Sequence, residues 1–196
     1  MTDRASLIVG ADGRSRCAWV GTDTEYAKYH DEEWGTALHG DQNLFEKLSL
    51  EAFQAGLSWI TILRRRPGFR LAFTDFDLQS VGALGPHDVE RLMQDARIIR
   101  NRAKILATIG NAQATLRLTS GHPGALDEFM WSFAPPARAH RPGGFDEIPA
   151  VTPESTALSK GLKALGYTFV GPTTMYALMQ SSGMVDDHVV GCWRAD

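Results

Sequence analysis

The sequence predicts an all-α domain, and three observations carry that expectation. Helix-capping residues recur ahead of stretches whose apolar residues fall three and four apart. Gly and Pro punctuate those stretches at short intervals, and no strand-rich block occurs. With 196 residues, 43% hydrophobic and 22% charged, the chain has the composition of an ordinary globular protein and enough length for a substantial core. No internal repeat divides it, so one domain is expected.

Met1 to Arg16 are polar and glycine-containing without periodicity, and read as a flexible leader; the helical domain is then expected over 17–196. Asp23 is placed to cap a short helix through Tyr26, Tyr29, His30 and Glu33, ending at Gly35. Asp41 is placed to cap a second, reaching Ala55 before Gly56 breaks it. Ser58 opens a third, Trp59 to Arg66, which Pro67 stops, and Asp77 and Pro86 open two short ones. The longest helix is expected after Asp95, with Ile98, Ile99, Ile105, Leu106 and Ile109, running to Leu118. From Phe133 to Thr152 the chain is Pro- and Gly-rich and reads as an irregular connection. Thr152 and Pro153 start a helix to Leu165, and a last one runs from Thr173 to about Ser182, ending at Gly183.

A formal net charge of −3 gives no global field that would draw the chain onto nucleic acid, so any such role needs a local patch. Two runs offer one: Arg64 to Arg66, and Arg91, Arg97, Arg100, Arg102 and Lys104. Both equally suit phosphate contacts and solvated helix faces. No apolar run reaches transmembrane length, and Met1-Thr-Asp-Arg lacks the plan of a secretory signal, which predicts a cytoplasmic location.

Only two cysteines occur, Cys17 and Cys192. In a reducing compartment they point away from a disulfide and invite a metal. His188 lies four residues before Cys192, a spacing that shares one side of a helical turn, and His30 follows Cys17. Two thiolates and two imidazoles fill a tetrahedral zinc shell, leaving no position for water, so such a zinc is structural. The spacing fits buried inert thiols and ordinary histidines as well, since His39, His87, His122 and His140 show that histidine is not scarce.

Glu51 falls at the edge of a stripe formed by Leu44, Leu48, Ala52 and Ala55. A carboxylate facing a core marks a functional-site candidate, while a partly exposed Glu51 paired with Lys47 is the plainer alternative. Tyr29 and Tyr26 are in position to orient it. Trp59 starts a helix after Gly56-Leu57-Ser58 and faces either a cleft or the core; Trp19, Trp34, Trp131 and Trp193 share that ambiguity.

Cys17-Ala-Trp-Val20, Tyr29-His-Asp-Glu-Glu-Trp-Gly35 and Leu50-Glu-Ala-Phe-Gln-Ala-Gly-Leu-Ser-Trp-Ile60 resemble the DNA-3-methyladenine glycosylase I family. Asp95 to Lys104, Phe169-Val-Gly171 and Asp187-His-Val-Val-Gly-Cys192 continue the likeness in order. The resemblance implies a helix-hairpin-helix fold with zinc ligands at Cys17, His30, His188 and Cys192, joining the two terminal segments. It implies that Glu51 and Tyr29 carry the chemistry of base recognition, that Trp59 stacks on the base with Trp19 and Tyr26 nearby, and that Gln54, Gly56 and Leu57 belong to a loop probing the duplex. One departure stands out: Arg97 occupies the place of the hairpin's glycine, where a Cβ would strain a left-handed turn.

The implied reaction is hydrolysis of the N-glycosidic bond of 3-methyladenine in double-stranded alkylated DNA, by a monomer without an organic cofactor. It leaves an abasic site, with no lyase step. Adenine methylated at N3 is cationic and already a good leaving group, so the protein must extrude it and prefer a cation. An indole face and a carboxylate meet that need. A non-catalytic zinc-containing nucleic-acid-binding module is the rival reading, and a zinc hydrolase, which needs an open metal position, is a further one.

Overall fold

The computed structural model describes residues 6–195. Two short strands, β1 (Leu7–Val9) and β2 (Ser15–Cys17), precede ten helices among these residues. They are α1 (Thr24–Glu32), α2 (Asp41–Gln54), α3 (Trp59–Leu63), α4 (Arg66–Ala72), α5 (Leu78–Gly82), α6 (Pro86–Gln94), α7 (Arg102–Leu118), α8 (Ala125–Trp131), α9 (Pro153–Ala164) and α10 (Pro172–Ser181). No helix among the described residues is long and apolar enough to cross a membrane.

Four of these helices, α1, α5, α7 and α9, start on a local side-chain cap. Asp23 accepts from the Tyr26 amide at 2.9 Å and Asp77 from the Ser80 amide at 2.8 Å, while Thr152 and Ser155 cap each other reciprocally. Asp41 departs from expectation. It is the first residue of α2 rather than its cap, and its carboxylate accepts from the amides of Gly124 at 2.7 Å and Asp127 at 3.0 Å. It therefore caps α8 from a distance, a helix with no local start signal of its own.

Three further expectations are corrected. Pro67 does not stop a helix; it sits in the first turn of α4, where its missing N–H costs nothing. The long helix starts at Arg102, capped by Asn101, and residues 95–101 form the turn before it. In that turn Arg97 is not among the residues with positive φ, so the anticipated strain is absent. Gly68 makes the room instead, since a Cβ there would lie 2.7 Å from Cβ of Arg97.

The leader is also not wholly without structure. Residues 1–5 lie outside the described residues, but β1 and β2 pair antiparallel with Leu7 opposite Cys17, adding a small sheet to the helical domain. Arg16 is buried, and its guanidinium holds Asp31 of α1 at 2.6–3.1 Å and Asp12 at 2.7–2.8 Å. Strands of three residues are too short for periodicity to reveal, and the ion pairs that anchor them span distant sequence.

The core forms around α2, which packs against α3, α7, α8 and α10. Leu44, Phe45, Leu48 and Phe53 are fully buried, and Phe53, Phe69, Phe73 and Phe76 form a chain of rings with centroids 4.6–6.4 Å apart. Helices α9 and α10 pack as a hairpin pair. The connection is pinned by Asn111, whose side chain bonds both amide and carbonyl of Thr168 at 2.9 and 3.1 Å. Beyond α10, Gly183 passes so close to the Thr36–Ala37 peptide that a Cβ would lie 2.4 Å from it, which brings the final segment back to the first helix.

One local strain is testable. Thr74, Asp75 and Phe76 are consecutive left-handed residues with φ of 53°, 51° and 56°. Asp75 is exposed, so Asp75→Gly relieves about 1–2 kcal/mol of strain against a chain-entropy cost of nearly 1. Thermal unfolding of this variant should show a net gain of up to roughly 1 kcal/mol and no loss.

Candidate active site and candidate metal centre

A cavity of about 280 Å³ opens between α1, α2, α3 and α10. The 3-10 turn Ala18–Val20 brings Trp19 to its wall, α1 supplies Tyr26 and Tyr29, α2 supplies Glu51, and α3 begins with Trp59. All five residues proposed for the base pocket therefore meet in one place. Trp19 meets Tyr26 edge-on with centroids 4.8 Å apart, and Tyr29 lies 5.4 Å from Trp59. The result is an aromatic box.

Among the described residues Glu51 is the one carboxylate lining it, and it is only 3% exposed, which removes the plainer reading of a half-solvated surface pair. Its Oε1 accepts from the Ser181 hydroxyl at 2.8 Å, whereas Oε2 is buried without a partner, as is the indole Nε1 of Trp59. Burial, partly offset by the Ser181 hydrogen bond and the charge of Lys47, lifts the Glu51 carboxyl to about 7. Burial also raises the Tyr29 hydroxyl well above its ordinary value, with the Glu51 charge adding to it, and the same two causes raise Tyr26 to about 12. Both phenols therefore stay protonated donors near neutrality.

Behind the box, Lys47 is buried with Nζ 5.4 and 5.7 Å from the Tyr29 and Trp59 rings. It lies 3.7 Å from Glu33, which Arg66 grips at 2.5 and 2.8 Å. A flat ligand that is cationic or carries an amino donor would satisfy the free Glu51 oxygen while covering aromatic surface.

The proposed probing loop divides. Gln54 lines the cavity, whereas Gly56 and Leu57 sit outside it on an exposed turn. Ser181, Gln180 and Ala177 of α10, Trp34, and Phe145 and Ile148 complete the wall, and none was singled out from sequence as part of this site. Ser181 is 130 residues from its partner, and no local pattern signals that. Phe145 and Ile148 lie in the segment read as irregular, where the one available sign was apolar residues amid Pro and Gly.

The two basic runs are largely neutralised. Arg97 folds back on Asp95, Arg102 on Glu90, Arg91 on Asp88, and Arg64 on Asp23. Lys104 is buried and faces inward.

The second cluster joins the ends of the domain. Cys17, His30 and Cys192 are buried, with ligand atoms all within 4.8 Å of one another. The His188 ring lies 4.8 Å from that of His30. His188 and Cys192 do not share a helical turn; they lie on an irregular segment closed by a bond from the Cys192 amide to the Val189 carbonyl. Nδ1 of His30 meets Asp31 at 2.8 Å and Nδ1 of His188 meets Asp186 at 2.7 Å, so both Nε2 atoms are left as lone-pair donors. Nε2 of His188 is buried with no partner. The hydrogen bond to Cys192 and burial drive the Cys17 thiol far above its usual range, while the same bond holds the Cys192 thiol below its own, so without a cation between the sulfurs the pair keeps one proton. The donor set thus fits a soft or borderline divalent metal.

The family model for methyladenine glycosylase matches residues 19–195. The chain is 48% identical over 182 residues to DNA-3-methyladenine glycosylase 1 of Escherichia coli strain K12, covering 90% of this chain and 95% of that protein. Among solved structures, it superposes on a 3-methyladenine DNA glycosylase I with a TM-score of 0.87 at 44% identity, covering 91% and 98% of the two chains. It also superposes on the Staphylococcus aureus enzyme, whose structure describes 3-methyladenine recognition, with a TM-score of 0.85 at 33% identity, covering 91% and 95%. Coverage on this scale, with the aromatic box and its carboxylate in place, leaves one assignment: the chain belongs to the methyladenine glycosylase family.

Proposed function

We propose that this protein is a monofunctional DNA glycosylase that excises 3-methyladenine from alkylated duplex DNA, acting as a cytoplasmic monomer. The half-satisfied, fully buried carboxylate of Glu51 inside an aromatic box is the observation that carries the reading. An extruded 3-methyladenine stacks on Trp59, its amino group donates to Glu51, and Tyr29 supplies a further donor; Trp19 and Tyr26 close the box. The cationic nucleotide favours ionised Glu51, so entry of the base shifts that carboxyl back below neutrality. The C1′–N9 bond then breaks with its electron pair going to the base, which leaves neutral. Water bonds to C1′ of the oxocarbenium-like sugar and releases a proton, giving an abasic site. Helices α9 and α10 with their connection, rather than the turn at Arg97 to which the family likeness assigned the hairpin, form the helix-hairpin-helix that seats the duplex, and Gly56 and Leu57 probe the vacated position.

We further infer that zinc occupies the cluster of Cys17, His30, His188 and Cys192, in a structural role. Held by these four side chains, it would crosslink the first and last segments of the domain. Asp31 and Asp186 orient the two imidazoles, and His30 adjoins Tyr29 in α1, so the crosslink bears on the pocket wall.

Incubating the protein with methylated duplex DNA should release free 3-methyladenine, identified by chromatography; release of none overturns the assignment. Glu51→Gln should lower excision by about 10- to 100-fold, the worth of one charge-assisted hydrogen bond.

The same variant tests the buried carboxyl. The folded-state value of about 7 stands above the ordinary value of 4.5. Stability is therefore lost as pH rises from 4.5 to 7, because the unfolded chain ionises first. The loss totals about 3 kcal/mol above pH 7. Denaturant unfolding should show Glu51→Gln and the parent matching near pH 4 and the variant more stable at pH 8.

Elemental analysis should find about one zinc per chain. Stripping it with a strong chelator should lower the melting temperature and weaken 3-methyladenine binding; a stripped protein that stays folded and fully active contradicts the structural role.

A further inference from the structure

Lys104 differs from every other cation in its run. It is 6% exposed, and it reaches from the first turn of α7 to the last turn of α2. There Nζ donates to the Phe53 carbonyl at 2.8 Å and the Ala55 carbonyl at 2.7 Å. Between them, the Gln54 carbonyl accepts from the Leu57 amide at 2.6 Å. Three successive carbonyls at the negative end of α2 are thereby fixed, two by one ammonium and one by the loop itself. Burial lowers the lysine's proton affinity, and no carboxylate pairs with it among the described residues, so carbonyl dipoles alone hold the charge.

The fixed turn leads directly into the exposed loop. Gly56 has φ of 85° and Leu57 is 42% exposed, an apolar side chain presented to solvent on the turn that joins α2, which carries Glu51, to α3, which begins with Trp59. The far end of the lysine sits on α7, which follows the turn bearing Arg97 and Arg100. One side chain therefore joins the loop to the basic turn.

We propose that Lys104 is a positioning residue for base extrusion: by tying off the end of α2 it sets how far Leu57 projects into the duplex when a nucleotide leaves the stack. The proposal rests on the reading of the Gly56–Leu57 turn as the DNA-probing loop. Lys104 touches neither the base nor the sugar. Its removal leaves two carbonyls at a helix end without donors and lets the turn drift, and a displacement of about 1 Å is enough to cost on the order of 100-fold in rate.

The test uses Lys104→Met in the full chain, with two readouts. The first is the affinity for free 3-methyladenine, followed by tryptophan fluorescence. The second is single-turnover excision at saturating enzyme from two duplexes, one with the methylated adenine opposite thymine and one with it opposite an abasic site, where extrusion costs less. Free-base affinity should stay essentially unchanged, and excision opposite thymine should fall on the order of 100-fold. Excision opposite the abasic site should fall far less. Leu57→Ala should give the same pattern, and the double variant should lose no more than the worse single one, as expected for two residues acting in one step.

Unchanged excision overturns the proposal. So does an equal loss on both duplexes, or a matching loss of free-base affinity, each of which assigns Lys104 to general support of the pocket. If Lys104→Met does not fold, Lys104→Gln, which keeps a neutral donor, carries the same comparison. Failure of the unsubstituted protein to bind 3-methyladenine or excise it would show instead that the underlying functional reading is wrong.

Discussion

The hydrogen bond from Ser181 to Glu51 is the contact on which the site depends. A carboxyl that deep is costly in either protonation state unless something donates to it, and the donor comes from the last helix of the domain. Holding α10 against α2 at that point requires the α9–α10 pair to be locked, which the Asn111 side chain does from α7. It also requires the chain to turn away tightly afterwards, which Gly183 permits by lying against the Thr36–Ala37 peptide. Only one Glu51 oxygen is satisfied by this arrangement. The other is buried without a partner, and on the proposed function it is the one a ligand would meet, so that fold stability and ligand recognition would draw on the same carboxylate.

The opposite wall is held from the chain ends. Asp31 accepts from Arg16 of β2, His30 of α1 and Trp193 of the final segment. Burial alone would raise its proton affinity, yet those donors bring it down to about 2. The aspartate is thus a charged knot between the first strand pair and the last residues. His30 is bound to that knot on one edge and faces the two thiols on the other, while its chain neighbour Tyr29 lines the pocket. A disturbance at the terminal cluster reaches the pocket through a single peptide unit.

How much of this was legible in the sequence depended on range. Asp23, Asp77 and Thr152 announced their helices because capping is a local contest for amide protons. Asp41 misled for the same reason: its type suggested a local cap, but its partners are Gly124 and Asp127. Glu51, Tyr29, Trp59 and Trp19 could be named in advance because they lie in short strings with a family likeness, and Tyr26 because it stands one helical turn before Tyr29; the structure gathers all five around one cavity. Ser181, Phe145 and Ile148 escaped because their role exists only once distant segments meet. The hairpin of β1 and β2 escaped because three-residue strands leave no periodic trace, and a buried arginine in a polar stretch looks like any solvated one.

The self-neutralised arginines bear on how the protein moves over DNA. Arg64, Arg91, Arg97 and Arg102 are each engaged with a carboxylate, and the chain as a whole is acidic. A phosphate that approaches must compete with those partners, so fewer counterions are released per contact than the arginine count suggests. On the proposed function, undamaged duplex would be held loosely and let go quickly. Residence would then be reserved for places where the aromatic box fills, and rapid sampling of many sites would follow from the same ion pairs that make the surface look ill-suited to nucleic acid.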